Sequence, residues 1–157
     1  MNETAAADSA SVIAPAPVFF GAAIVAGYLL EWLFPTRLLS FPYAAALGAL
    51  SIVVSIALVL FAVVPLARAH TAFDARRPST RIVTTGAFKI SRNPVYLSLA
   101  LLQVGLALAS QAAWLLLTAT AAVAITHWGI ILREERYLER KFGDEYRAYA
   151  ANVRRWI

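Results

Sequence analysis

Four long apolar runs dominate this chain, and they decide its solvent before any motif is considered. The runs cover about Val18 to Phe34, Pro42 to Ala67, Pro94 to Ala109 and Ala112 to Leu132. A helix that crosses a bilayer needs roughly 20 apolar residues, with a range of about 17–25. The first, second and fourth runs meet that length. The third is short, and Ser110-Gln111 joins it to the fourth as a helical hairpin. Within the 157 residues, 61% are hydrophobic and 15% charged, against roughly 45–50% and 25% in an ordinary soluble domain. The expected fold is all-α: a polytopic membrane protein with about four transmembrane helices, followed by a cytoplasmic amphipathic helical segment.

The placement of charge gives the orientation. Arg68, Arg76, Arg77, Arg81, Lys89 and Arg92 fall between the second and third runs. Arg133, Arg136, Arg140, Lys141, Arg147, Arg154 and Arg155 follow the fourth, and only Arg37 lies elsewhere. Basic loops stay on the cytoplasmic side, so both termini are expected there, with the protein a multi-pass component of an inner or plasma membrane. The net charge of +5 does not indicate a nucleic-acid partner, because the cations border apolar spans instead of lining one soluble face. The expected partners are membrane lipids and a lipophilic small-molecule or lipid substrate. Residues 1–16 carry Glu3 and Asp8 but no Lys or Arg. They therefore read as a disordered tail and not as a signal peptide, and residues 17–157 as a single domain. The chain has no cysteine, which excludes thiol nucleophiles and zinc–thiolate centres.

A purely structural membrane protein needs only short loops. Here a connection spanning about residues 68–93 and a tail over 133–157 sit on the same side, where they can meet. In the tail, Leu138, Phe142, Tyr146, Tyr149, Val153 and Trp156 recur at helical spacing. Gly143-Asp144 predicts a stop and a fresh N-cap, hence two short helices. This stripe also suits a helix lying on the membrane surface. In the connection, Asn93-Pro94 is a helix start, with Asn as N-cap and Pro at the first helical position. That accounts for neither Arg92 nor Tyr96, nor for Gly86 within a β-branched stretch. Backbone amides at such a helix start suit an anionic group. Glu134 and Glu135 follow directly on an apolar span, where an unpaired carboxylate is costly. Pairing with neighbouring Arg or Lys is the ordinary outcome; with Arg81 and Arg92 facing them, they form a mixed-charge cluster able to hold ribose hydroxyls or attract a sulfonium. His127 is the one ionisable residue well inside a span, although a lone histidine there is more often a packing residue.

The order Thr-Thr-Gly-Ala-Phe, then Arg-Asn-Pro-Val-Tyr, then two spans, then Glu-Glu-Arg-Tyr-Leu-Glu-Arg-Lys-Phe-Gly-Asp-Glu-Tyr resembles the isoprenylcysteine carboxyl methyltransferase family, which belongs with the membrane phospholipid methyltransferases. The resemblance runs from about Thr80 to Ile157. It implies S-adenosylmethionine as cofactor, held without a Rossmann fold. The cofactor-binding residues it implies are Arg81, Ile82 and Val83 in a strand-like stretch, then Phe88, then Arg92, Asn93, Pro94 and Tyr96, and finally Glu134. Asn93 stands where eukaryotic members carry histidine. Ile130 stands where they carry a substrate-orienting arginine, and Arg133 is the nearest replacement. Arg133, Glu135 and His127 are the expected catalytic residues, the last two as proton acceptors if the acceptor is an amine. Other acceptors of this class are an isoprenylcysteine-like carboxylate and a hydrophobic thiol, for which alignment and exclusion of water suffice. Two other classes fit the pattern less closely. One is an NADPH-dependent membrane reductase related to sterol reductases, with Arg76 and Arg77 on the 2′-phosphate. The other is a non-enzymatic protein that binds anionic lipid or a partner.

Overall fold

A computed structural model describes residues 14–36, 39–69 and 80–157. Residues 1–13 of the expected disordered tail, the cations Arg37, Arg76 and Arg77, and residues 70–79 of the connection after the second run lie outside these residues. Helix α1 covers Ala16–Leu33, α2 Ala44–Arg68, α3 Pro94–Ser110, α4 Trp114–Thr126, α5 Leu132–Phe142 and α6 Asp144–Asn152. A 3-10 turn, Gly86–Lys89, precedes α3, and a π-helical stretch, His127–Ile131, joins α4 to α5. The result is an all-helical, polytopic membrane protein. Among the described residues, three stretches are long and apolar enough to cross a bilayer: α1, α2 and the continuous rod from Trp114 to Phe142. The 17-residue α3 is the shorter apolar helix.

Lipid provides no hydrophobic force between apolar helices, so close association relies on small residues and on hydrogen bonds made where no water competes. The pairing of α2 with α3 uses both. A β-carbon on Gly48 would sit 2.4 Å from the Ala109 nitrogen, and one on Gly105 would sit 2.9 Å from the Gly48 carbonyl. The backbones therefore touch at this crossing. Further along the same face, Ser51 Oγ donates to the Leu101 carbonyl at 2.9 Å and Ser55 Oγ to the Ser98 carbonyl at 2.7 Å. The hairpin of α3 and α4 turns at Gln111, in the left-handed conformation at φ 57°. Inside the hairpin, buried Gln103 donates to Thr118 Oγ1 at 3.0 Å.

Helix α1 packs against α4, where Gly27 leaves room for Leu115 and Thr118. Its acidic residue, Glu31, belongs to the loop end of the bundle. Glu31 accepts from the Trp114 amide at 3.4 Å and from Thr36 Oγ1 at 3.0 Å, while Thr36 Oγ1 accepts from the Ala113 amide at 3.3 Å. A carboxylate thus meets the unpaired amides at the start of α4, the favourable end of its dipole.

The rod from α4 to α5 does not break where the apolar run ends. It passes through the π turn and stays helical until Gly143, at φ 55°, where α6 begins. The two short helices expected after the last span are present, but Asp144 is the first residue of α6, and Gly143 occupies the cap. Asp144 instead holds Arg147 at 2.6 Å on the surface. Asn93 is also placed at a cap without capping: its side chain makes no bond to the first turn of α3.

The α2–α3 crossing generates a test. Gly48→Ala should cost about 1–3 kcal/mol, the usual cost of overpacking, because the added carbon meets backbone and not a movable side chain. Gly21→Ala, with nothing within 4 Å, should leave stability unchanged or slightly raised. Thermal unfolding in detergent compares the two.

Candidate active site

The start of α3 lies deep in the molecule because α2 runs on beyond it. Val95, one residue into α3, packs with Ala62 of α2 and Ala87 of the 3-10 turn. From Ala62, α2 continues to Arg68, about 9 Å at 1.5 Å per residue. These last turns form a wall. Pro65 lies inside α2 and has no amide proton to give, so the carbonyl of Phe61 loses its helical partner. Gly86 backs onto that carbonyl: at φ +63°, its β-carbon would fall 2.6 Å from Phe61 O and 2.7 Å from Pro65 Cγ. Only glycine fits both the conformation and the space, which explains its presence in a β-branched stretch.

Between this wall, α3 and α5 is an open-mouthed cavity with about 770 Å³ of empty space, the solvent at its mouth included. Arg81, Ile82, Val83, Phe88, Arg92, Asn93, Pro94, Tyr96 and Glu134 all line it. These are the nine cofactor-binding residues expected from the sequence, and the fold brings them to one cavity. Glu135 joins them, with Leu66, Val95, Leu138, Tyr146 and Tyr149. Residues 81–83 form irregular chain, with no strand among the described residues.

The side chains divide into two groups. Tyr96 donates to Glu134 Oε2 at 2.9 Å, linking the first turn of α3 to α5. Glu135 is gripped from two sides. Arg155 forms a fork on it, Nε to Oε1 at 2.9 Å and Nη2 to Oε2 at 2.8 Å, and Arg92 Nη1 lies 3.2 Å from Oε1. The hydrogen bonds to Glu135 hold the Arg155 guanidinium above its ordinary pKa. Arg92 Nη1 also donates to the Tyr146 hydroxyl at 3.4 Å. Arg92 Nε is buried and has no partner, a position that normally demands one.

The end of the chain closes the side opposite α2. The Arg92 amide donates to the Arg154 carbonyl at 2.9 Å, and Asn93 Nδ2 and Ser91 Oγ donate to the Arg155 carbonyl at 2.9 and 3.3 Å. Asn93 therefore pins the C-terminal segment where a helix cap was expected, and Ser91 Oγ accepts from the Asn93 amide at 3.0 Å. Tyr149 donates its hydroxyl to the Phe88 carbonyl at 2.8 Å. Burial raises both phenols: Tyr146 is pushed up to about 12, with the Glu135 charge adding to the effect, and Tyr149 is raised as well.

The three residues expected to be catalytic are not placed alike: of them, Glu135 alone lines the cavity. His127 lies in the π stretch, stacked with Trp156 at 6.2 Å and edge-on to Trp128 at 5.3 Å, away from the cavity lining. Arg133 is exposed and does not line the cavity. Glu135 lines it, but both its oxygens are engaged by guanidinium groups, which suits an anchor and not a proton acceptor. Ile130 is buried among Ala16 and Tyr137, so that position itself offers no cation. Sequence reasoning missed Tyr146 and Tyr149 as wall residues, although their stripe was visible, and it missed Arg155, for which charge alone gave no signal.

Comparison with known proteins now adds to this geometry. The phospholipid methyltransferase family model matches residues 43–145, more than half of the chain. The chain belongs to the phospholipid methyltransferase family. The matched region runs from the start of α2 to the start of α6. A 27-residue stretch is 70% identical to an uncharacterized protein of Haemophilus influenzae, covering 17% of this chain and 43% of that protein. The chain thus matches less than half the length of that relative. No solved structure matches. Arg76 and Arg77, on which the reductase reading depends, lie outside the described residues.

The pH dependence of stability follows from the tyrosines. Tyr146 has a folded pKa above its unfolded value of about 10, so its contribution is fully present below pH 10 and is lost as pH rises toward 12. The thermal midpoint of the protein should hold steady up to about pH 10 and then fall. Tyr146→Phe should shrink the fall without removing it, since Tyr149 shifts in the same direction. Scanning calorimetry across that window checks both.

Proposed function

We propose that this cavity binds S-adenosylmethionine and that the protein transfers its methyl group to a lipid amine at the cytoplasmic face of the membrane. One observation carries the reading: residues from four separate segments converge on one cavity with the donors such a cofactor needs. The aromatic and aliphatic walls, Phe88, Ile82, Val83, Tyr146 and Tyr149, suit an adenosine group. Arg92, with its buried unpartnered Nε, suits an amino-acid carboxylate. Glu134, oriented by Tyr96, suits ribose hydroxyls or a positively charged centre.

The cofactor supplies a methyl group on a sulfonium, a strong electrophile with a neutral thioether as leaving group. The acceptor nitrogen forms the new bond to carbon as the carbon–sulfur bond breaks, and the nitrogen gives up a proton. The chain's part is to align the reactants and exclude water, which is where most of the acceleration for such a displacement arises. Glu134 is the carboxylate best placed to receive that proton.

The depth of the cavity supports a lipid acceptor. From Ala44 to Ala62, α2 rises about 27 Å, close to the ~30 Å of a bilayer's hydrocarbon core. The first turn of α3, level with Ala62, then falls at the boundary with the headgroups. The connection before α3 and the segment after α4 lie at the same end of the bundle, and their cations put that end in the cytoplasm. The acceptor group is best read as an amine. Buried Ile130 provides no charge where a carboxylate acceptor would need one, and exposed Arg133 does not replace it.

Purified protein in detergent should bind S-adenosylhomocysteine and not NADPH in titration calorimetry. Glu134→Ala should weaken that binding by about tenfold or more, on the scale of a charge-assisted hydrogen bond, with the helical circular dichroism retained. Methyl transfer from labelled cofactor should favour an ethanolamine phospholipid over a prenylcysteine. NADPH binding without S-adenosylhomocysteine binding would overturn the assignment, and preference for the prenylcysteine would overturn the choice of acceptor.

A further inference from the structure

The residues that line the cavity account for Glu134 and Arg92, but not for the second arginine on Glu135. Arg155 does not line the cavity. It also lies beyond the region matched by the family model. Yet it makes the more complete contact, a two-pronged fork on both oxygens, while Arg92 reaches only Oε1 through one nitrogen. The three groups together carry one net positive charge. The Arg92 guanidinium lines the cavity, and its Nε is buried with no partner.

We propose that Arg155 is a positioning residue for cofactor binding: by occupying Glu135, it leaves the Arg92 guanidinium with positive charge and an open donor for the carboxylate of the cofactor's amino-acid part. This rests on the proposed identity of the cofactor. The alternative arrangement is easy to state. Without Arg155, Glu135 is free to take Arg92 as its own fork partner, because Nη1 is already 3.2 Å away. Arg92 would then be neutralised and turned from the cavity, and the buried carboxylate of Glu135 would stand where an anionic ligand group approaches. The other charged groups at the cavity do not substitute for Arg155. Glu134 is held by Tyr96 on the other side, and Arg81 is exposed at the mouth.

The backbone separates this role from a merely structural one. Residue 155 also holds the loop through its carbonyl, which accepts from Asn93 and Ser91. Substitution removes the guanidinium and leaves those bonds in place.

The test uses the full-length protein in detergent and two ligands. S-adenosylhomocysteine carries the carboxylate; 5′-methylthioadenosine shares the adenosine thioether but lacks the amino-acid part. Arg155→Ala should weaken the first by about tenfold or more and the second by less than about threefold, as expected when a charge contact to one ligand group is lost. Adding Glu135→Gln to Arg155→Ala should recover most of the loss, because the competing charge is gone. Arg155→Lys should lie between the wild type and the alanine variant. Should the alanine variant fail to fold, Arg155→Gln carries the same comparison. Equal loss for both ligands, or a double variant weaker than the single one, overturns the inference and leaves Arg155 as a structural strap. Wild-type protein that binds neither ligand overturns the cofactor reading itself.

Discussion

Glu135 sits half-buried at the end of an apolar rod, and an ionised carboxylate there is tolerated only if its charge is met. The two cations that meet it come from opposite ends of the functional half of the chain. Arg92 precedes α3 and Arg155 follows α6, so one carboxylate gathers the loop, the rod and the last residues at a single point. The rest of the cavity depends on this. With the chain end held, Tyr149 reaches the Phe88 carbonyl and Tyr146 lies against Arg92. Together they turn an amphipathic stripe, which by itself suits a membrane surface, into a cavity wall.

The opposite wall depends on the contact between α2 and α3. Gly48 and Gly105 let the two backbones meet, and the serine bonds along the same face fix their register. That register sets α3 low against α2 and leaves the last turns of α2 standing beside the start of α3. Pro65 and Gly86 complete the junction, one by releasing a carbonyl and the other by approaching it without a side chain. A recess at the membrane boundary thus arises from small residues and a proline, none of which carries chemistry.

Much of this was legible in the sequence, for identifiable reasons. Spans are set by the length of apolar runs, and Pro94 and Gly143 punctuate helices through their own backbone limits, so α3 and the α5–α6 break fell where expected. The nine residues that meet at the cavity could be named together because their order around a helical hairpin is specific. What was not legible were the partner choices. Asn93 reads as a cap from its position before Pro94, but Ser91 meets its amide and its own side chain turns to the chain end. Glu135 reads as a possible base because pairing with Arg155, 20 residues away, and with the still more distant Arg92 leaves no local pattern. His127 reads as functional because an ionisable group in a span usually is; here two tryptophans provide its surroundings. The rod continuing through the π turn was hidden as well, since hydropathy changes at Leu132 while the backbone does not.

The division of labour between the adjacent glutamates follows from helix geometry. Neighbours on an α-helix point about 100° apart, so Glu134 and Glu135 cannot serve the same partner. One faces Tyr96 and the first turn of α3; the other faces the end of the chain. Exchanging their roles would need a rotation of α5 by more than a quarter turn, which buried Ile130 and Tyr137 on the same rod oppose. The π turn just before them, with its wider turn, fixes the rotation with which the pair leaves the membrane. A site with one carboxylate for the ligand and one for the protein is therefore a consequence of where the bundle's last helix changes its winding.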